Sequence, residues 1–135
     1  MMQPGLSVQQ AMLAALRART TLVSLLGGAH IYDELPRGAN PPFVVFNAIE
    51  TRDWSVMDQK AHETFITLDI STNMKSRTQV QAIMQEIESA LDGGALVLVD
   101  HKLVNLRCVF NVASRNKTAE FFNATMRFRA ATEPL

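Results

Sequence analysis

Three histidines, one cysteine and two diglycine pairs are the residues in this chain whose types could do chemistry. His30, His62 and His101 are widely separated, and none stands in an HxH or HExxH spacing. With Cys108 as the sole thiol they make no recognisable metal set. They read as ordinary surface or loop histidines. Cys108 has no partner for an internal disulfide and sits in an apolar strand pattern, so it reads as a small core residue rather than a reactive thiol. Gly27-Gly28 and Gly93-Gly94 lack the GxGxxG and GxxxxGK patterns that cradle phosphates, and both read as helix stops. Serine, histidine and aspartate are all present, yet no GxSxG elbow places a nucleophile. The sequence therefore predicts no catalytic residue, no metal ligand and no cofactor site.

Two stretches are less routine. The first is the row Asn123, Thr125, Arg127 and Arg129, which alternation puts on one face of the last strand, beside Arg107 on its hairpin partner. It is either a solvated sheet face or a basic surface turned toward a partner subunit or a channel. The second is Arg52 to Ala61, where Trp54, Val56 and Met57 punctuate polar residues in a connection longer than a tight hairpin needs. It is either a docking arm with exposed apolar side chains or a loop folded back on the sheet.

These residues need a frame, and the best-patterned part of it runs from Glu63 to Leu91. Thr64, Ile66, Leu68 and Ile70 fall on one face of a strand; Glu63, Thr67 and Asp69 fall on the other, with Phe65 as its one large apolar residue. Val80, Ile83, Met84, Ile87 and Leu91 then form the apolar stripe of a helix, opened by a capping box of Ser76 and Gln79 and stopped by Asp92-Gly93-Gly94. Upstream, Ser7 and Gln10 predict a cap for a helix over about Val8 to Arg19. A short helical turn, Thr21 to Leu26, follows, then a loop from Ile31 to Asn40 and a strand from Phe43 to Arg52. Downstream, Ala95 to Val99 is a short apolar run, either a small strand or a buried crossover.

Leu103 to Ser114 alternates, with Val104, Leu106, Cys108, Phe110 and Val112 on one side and Asn105, Arg107 and Asn111 on the other. Arg115 to Thr118 makes a hairpin turn into a last strand, Ala119 to Ala131, whose Phe122, Ala124, Met126, Phe128 and Ala130 face inward. The order α-α-β-β-α-β-β predicts an α+β domain spanning residues 1–135: a four-stranded, mainly antiparallel sheet with helices on one face.

Composition bounds the function. The 135 residues suffice for one core, and 47% apolar content argues against disorder. Thirteen basic residues balance thirteen acidic ones, which disfavours holding nucleic acid by bulk charge. No signal-like start and no membrane-length apolar run occur, so a soluble protein made inside the cell, without a membrane partner, is expected.

The order of elements resembles the tail terminator, or tail completion, proteins of long-tailed phages and gene transfer agents. The resemblance is carried by the N-terminal helix with its LVSLLGG turn, and by IYDELPRGANPPFVVF with Tyr32, Pro36, Gly38, Pro42 and Phe43. The strand FITLDIS, the helix from Ser76-Arg77 to Ala90-Leu91 and the closing TMRFRA complete it. It spans nearly the whole chain and includes no catalytic signature. It implies a structural, non-enzymatic virion subunit in a phage-like tail, made in the bacterial host cytoplasm. Such subunits form a hexameric ring capping the tail tube, with the tube protein and a head-completion or stopper protein as partners. On that basis Arg52, Trp54, Val56 and Met57 are candidates for a subunit or docking interface. Arg107, Arg127 and Arg129 are candidates for a lumen or partner-facing basic surface past which DNA moves without specific binding. Two other classes compete: a small α+β ligand-binding or enzyme domain whose site forms at an oligomer interface, and a nucleic-acid-binding sheet. The neutral charge, and the absence of an aromatic stacking pair on the outward face in the expected alternation, argue against the latter.

Overall fold

The computed structural model describes residues 2–73, 75–91, 96–115 and 121–135. Helices α1 (Pro4–Ala18), α2 (Thr20–Leu26) and α3 (Arg77–Leu91) accompany strands β1 (Ile31–Tyr32), β2 (Phe43–Asp53), β3 (His62–Ser71), β4 (His101–Arg115) and β5 (Phe122–Pro134). The α+β class holds. The sheet, however, has five strands in the order β1-β2-β3-β5-β4, not four. The extra strand lies in the stretch expected to be loop. Ile31 and Tyr32 pair parallel with Val44 and Val45, and the Val44 amide donates to the His30 carbonyl at 2.9 Å. Two residues are too short for any periodic signal, so this strand exists only through its tertiary partner.

The two hairpins, β2–β3 and β4–β5, are joined by α3. β5 pairs with both β3 and β4, so α3 carries the chain across β5 from β3 to a β4 running in the same direction, a split crossover. The strand faces expected for β3 and β5 are observed. Ile66, Leu68, Ile70, Met126, Phe128 and Ala130 are buried under Val80, Ile83, Ile87 and Leu91 of α3 and Val8, Met12 and Leu16 of α1. Helices therefore cover one face, called inner here, and leave the other bare.

Helix α1 starts earlier than expected. Pro4 opens it, because a proline at the first helical position loses no hydrogen bond and has a helical φ already. Ser7 is thus inside the helix rather than its cap; it is buried, and its hydroxyl donates to the Val99 carbonyl at 2.7 Å. The first turn lies close on β2: a Cβ on Gly5 would stand 2.8 Å from Thr51 Oγ1. Helix α3 starts at Arg77, directly after Ser76 as expected, with the Val80 amide donating to the Ser76 carbonyl. Helix α2 ends at Gly27, φ 76°, where the amides of Gly27 and Gly28 return to the carbonyls of Ser24 and Val23. This is a Schellman closure, and Gly27 takes the left-handed position a side chain would resist. The proposed stop at Asp92-Gly93-Gly94 and most of the Arg115–Thr118 turn lie outside the described residues. Leu96 to Leu98 form no strand, and Leu98 is buried as a crossover would place it.

β4 departs most from its expected pattern. Its register against β5 shifts between Leu103 and Asn105 and again between Cys108 and Phe110. Each bulge inserts one residue and reverses which face the following side chains take. Beyond Val109, Phe110 and Val112 consequently stand opposite Arg127 and Thr125 on the outer face. Asn111 turns inward instead, lining a cleft with Gln81, Gln85 and Glu88 of α3.

Candidate docking surface

The bare face of the sheet brings together the arginines the sequence singled out, with Trp54 at its margin, in an arrangement that is neither purely basic nor free. Phe65, on β3, is its platform. The guanidinium of Arg127 lies 4.6 Å from the centre of that ring and that of Arg52 lies 5.5 Å away. Glu50, opposite Phe65 on β2, stands 3.5 Å from Arg52 and 3.8 Å from Arg127. Next along β5, Arg129 donates from Nε to Glu63 Oε2 at 2.7 Å, and its guanidinium lies 4.7 Å from the ring centre of Trp54. Asp69 accepts from Asn47 at 2.5 Å and from Thr125 at 3.1 Å.

Four arginines thus share the face with three carboxylates, and a guanidinium stacked on a ring is held by the ring's negative face as well as by its ion pair. Arg129 and Glu63 are largely withdrawn from solvent, with side chains 14% and 19% exposed. Arg107, directly opposite Arg129 in the β4–β5 register, has no ion pair or hydrogen bond among the described residues. Among the described residues it is the one arginine of the four without a charge partner in its own chain.

The connection from Trp54 to Ala61 continues the β2–β3 ladder as a narrow arm. The Trp54 amide donates to the Ala61 carbonyl at 2.9 Å. Val56 and Gln59 exchange backbone bonds at 3.0 and 2.9 Å, with Met57 and Asp58 at the turn. Met57 has φ 53°, a left-handed conformation unusual for its side chain, and is fully exposed. The root of the arm is tied down by the Arg129–Trp54 stack and by Gln59, whose amide donates to Glu133 at 3.2 Å. Both expectations for this segment therefore describe part of it: the root folds onto the sheet and the tip projects. Trp54, Val56, Gln59 and Ala61 of the arm, with Val104 and Glu133, enclose an apolar cleft of about 280 Å³.

At the arm's base, Asp53 accepts from the Ser55 side chain and the Ser55 amide, and these hydrogen bonds hold its carboxyl below the usual range despite a small opposing desolvation. A second depressed carboxyl, Glu86 on α3, lies away from this face. It is lowered first by the Thr21 hydroxyl and then by Arg19, which pairs with it at 3.0 Å. Neither belongs to a reactive cluster, and no group of three or more metal-ligating side chains occurs among the described residues. His30 and His62 are half-buried. His101 is not a surface residue as expected: it is buried at the start of β4, with Nε2 2.8 Å from the Met2 carbonyl, where it straps the N-terminus down.

Sequence reasoning missed three members of this surface. Glu50 and Glu63 carried no pattern of their own, and only the strand register makes them arginine partners. Phe110 was assigned inward because the alternation from Leu106 to Val112 is unbroken; the one hint of a bulge was the run of three apolar residues, Cys108, Val109 and Phe110. The outer face consequently does carry aromatic rings, Phe65 and Phe110, but Phe65 is already covered by Arg52 and Arg127.

The family described as tail completion protein gp17 matches residues 10–133 of the chain. No curated protein sequence matches it. Among solved structures, a chain from the virion of a native gene transfer agent particle superposes with a TM-score of 0.84 at 26% identity, over 94% of this chain and 95% of that one. No described helix is long and apolar enough to cross a membrane.

Proposed function

The chain belongs to the tail completion protein gp17 family, and from that premise we propose that it is a structural subunit that forms a ring on the finished tail tube. There it joins the tube to the head-completion proteins of a phage or phage-like particle. The observation that carries the reading is the extent of the family match. From residue 10 to residue 133 it takes in the arm, all five strands but for the last residue of β5, and all but the first turns of α1, so the shared part is nearly the whole frame rather than a local motif. The likeness to a chain of a gene transfer agent virion supports it.

The geometry is that of a part made to be built upon. Helices seal one face of the sheet. The other offers rings, paired charges and the projecting tip of Val56 and Met57. In this reading the arm meets a neighbouring subunit or the tube. Of the arginine row, Arg52, Arg127 and Arg129 are engaged within the chain, which leaves Arg107 for contact with a partner.

Deleting the gene from a producing strain tests the proposal. Tails of uncontrolled length or tails detached from filled heads are expected in electron micrographs, together with loss of infectivity or gene transfer. Normal joined particles from the deletion strain would overturn it.

A further inference from the structure

The sheet ends in two open edges on opposite sides of the molecule. On one side β4 runs for 15 residues with no strand beyond it among the described residues. On the other, β1 pairs only with Val44 and Val45, leaving β2 from Asn47 to Asp53 unpaired and exposed. Monomeric proteins blunt such edges with charge, short strands or bulges, because a row of free amides and carbonyls recruits another strand. Here the β4 edge carries Val104, Val109, Phe110 and Val112, each 41% exposed or more. The two bulges and the cations Lys102, Arg107 and Arg115 interrupt this edge, but its apolar side chains remain uncovered.

The two edges complement each other. β4 holds Lys102, Arg107 and Arg115 and no carboxylate. The β2 edge and the arm hold Glu50, Asp53 and Asp58 against Arg52 and Lys60, and present Ile49, Val56 and Met57 as apolar contacts. Direction also fits. β2, β3, β5 and β4 alternate in sense, so β2 and β4 run antiparallel within one chain. A rotation about an axis along the strands preserves strand direction, so β2 of a rotated copy meets β4 antiparallel, the stronger pairing.

Register adds a specific contact. Across the sheet Glu50 lies level with Phe65, Arg129 and Arg107. In a flush ring, Glu50 of one copy therefore comes beside Arg107 of the next, the arginine without an ion pair among the described residues of its own chain.

We propose that β4 of each copy pairs antiparallel with the Asn47–Asp53 edge of the next copy, setting Glu50 against Arg107, so that the sheets of the ring join edge to edge. The contact is heterologous, using two different patches of each subunit. Such a contact does not stop at a dimer, and it closes into a ring when the rotation from copy to copy divides a full turn. The inference rests on the ring reading above and names the surface that builds the ring.

Disulfide trapping in assembled particles tests it. In a Cys108→Ser background, Glu50→Cys and Arg107→Cys are introduced singly and together, and the particles are oxidised. Facing residues of antiparallel strands lie within disulfide reach. The double variant is expected to give a ladder of multiples of the 15.0 kDa chain on a non-reducing gel, and each single variant only the monomer. A dimer from Arg107→Cys alone would mean β4 pairing with β4 and overturns the proposal. So does the double variant present in particles without a ladder.

A photo-cross-linking phenylalanine at position 110 of the otherwise natural chain reads the same contact without the cysteines. Its cross-link should map to residues 47–58 of another copy, and a map to β4 or to a different protein overturns the pairing. Absence of the natural chain from particles would sink the ring reading itself, whereas a chain that is present but cross-linked elsewhere leaves that reading standing and removes only this contact.

Discussion

Replacing Arg129 by alanine separates a structural arginine from a surface one. Its Nε–Glu63 bond is 2.7 Å long between two side chains less than a fifth exposed, and its guanidinium also stacks on Trp54 at 4.7 Å. A hydrogen bond to a charged group at such a site contributes about 1.5–3 kcal/mol, and the cation–π contact about 0.5–1 kcal/mol. Arg129→Ala removes both and leaves the Glu63 carboxylate half-buried without its cation. The expected loss is therefore about 2–4 kcal/mol, a fall in melting temperature on the order of 10 °C for a chain of this size. Arg107→Ala, by contrast, should stay within roughly 0.5 kcal/mol of the natural chain, as exposed substitutions usually do. Urea unfolding of the isolated protein measures both. A double-mutant cycle with Glu63→Gln should then give a coupling of about 1–2 kcal/mol, well above the roughly 0.5 kcal/mol at which independent sites cease to be distinguishable. The reasoning fails if Arg129→Ala unfolds no earlier than Arg107→Ala, or if the coupling vanishes. In either case the row would be a plain solvated face.

Further outcomes follow from other parts of the frame. Ile87 is fully buried between α3 and the sheet, so Ile87→Ala should lower stability by about 2–5 kcal/mol in the same unfolding assay. Gly27→Ala, at φ 76°, should lower it by about 1 kcal/mol, visible as a reduced melting temperature. Met57→Gly should leave melting unchanged or slightly raised, because glycine prefers the φ that Met57 holds, while particle yield falls through loss of the projecting side chain. Glu86 has a folded-state pKa below its unfolded one, through Thr21 and Arg19. Its stabilisation is therefore present above the unfolded value and lost as pH falls through the folded one. Glu86→Gln should flatten the loss of stability across that acidic window and leave the slope above neutrality unchanged, as urea midpoints measured against pH would show.

Where a periodic pattern met a single unbroken element, the sequence was sufficient. The inner faces of β3 and β5 and the stripe of α3 are legible because burial selects apolar side chains at every second or every third to fourth position. β1 was invisible because two residues carry no period; it depends on the parallel pairing of Ile31 and Tyr32 with β2. β4 misled for a different reason. Its alternation continues through Val109, and only the register against β5 reveals that the phase reverses there and sends Phe110 outward. The start of α1 was misplaced because Ser7 fits a cap as well as it fits its buried bond to Val99, and only Pro4 and the distant partner decide between them. The arginine row was placed on the correct face, but its carboxylate partners lie on other strands. A list of outward cations therefore overstated the charge presented to a partner.

The central claim is that this chain completes a tail as a ring at one end of the tube. Cryo-electron microscopy of particles carrying a density tag on the C-terminus measures it most directly. A closed ring of tagged subunits at the head-proximal end of the tube, with neighbouring sheets joined edge to edge, is the predicted result. Tags scattered along the tube, located only in the head, or present as a single copy per particle would contradict it.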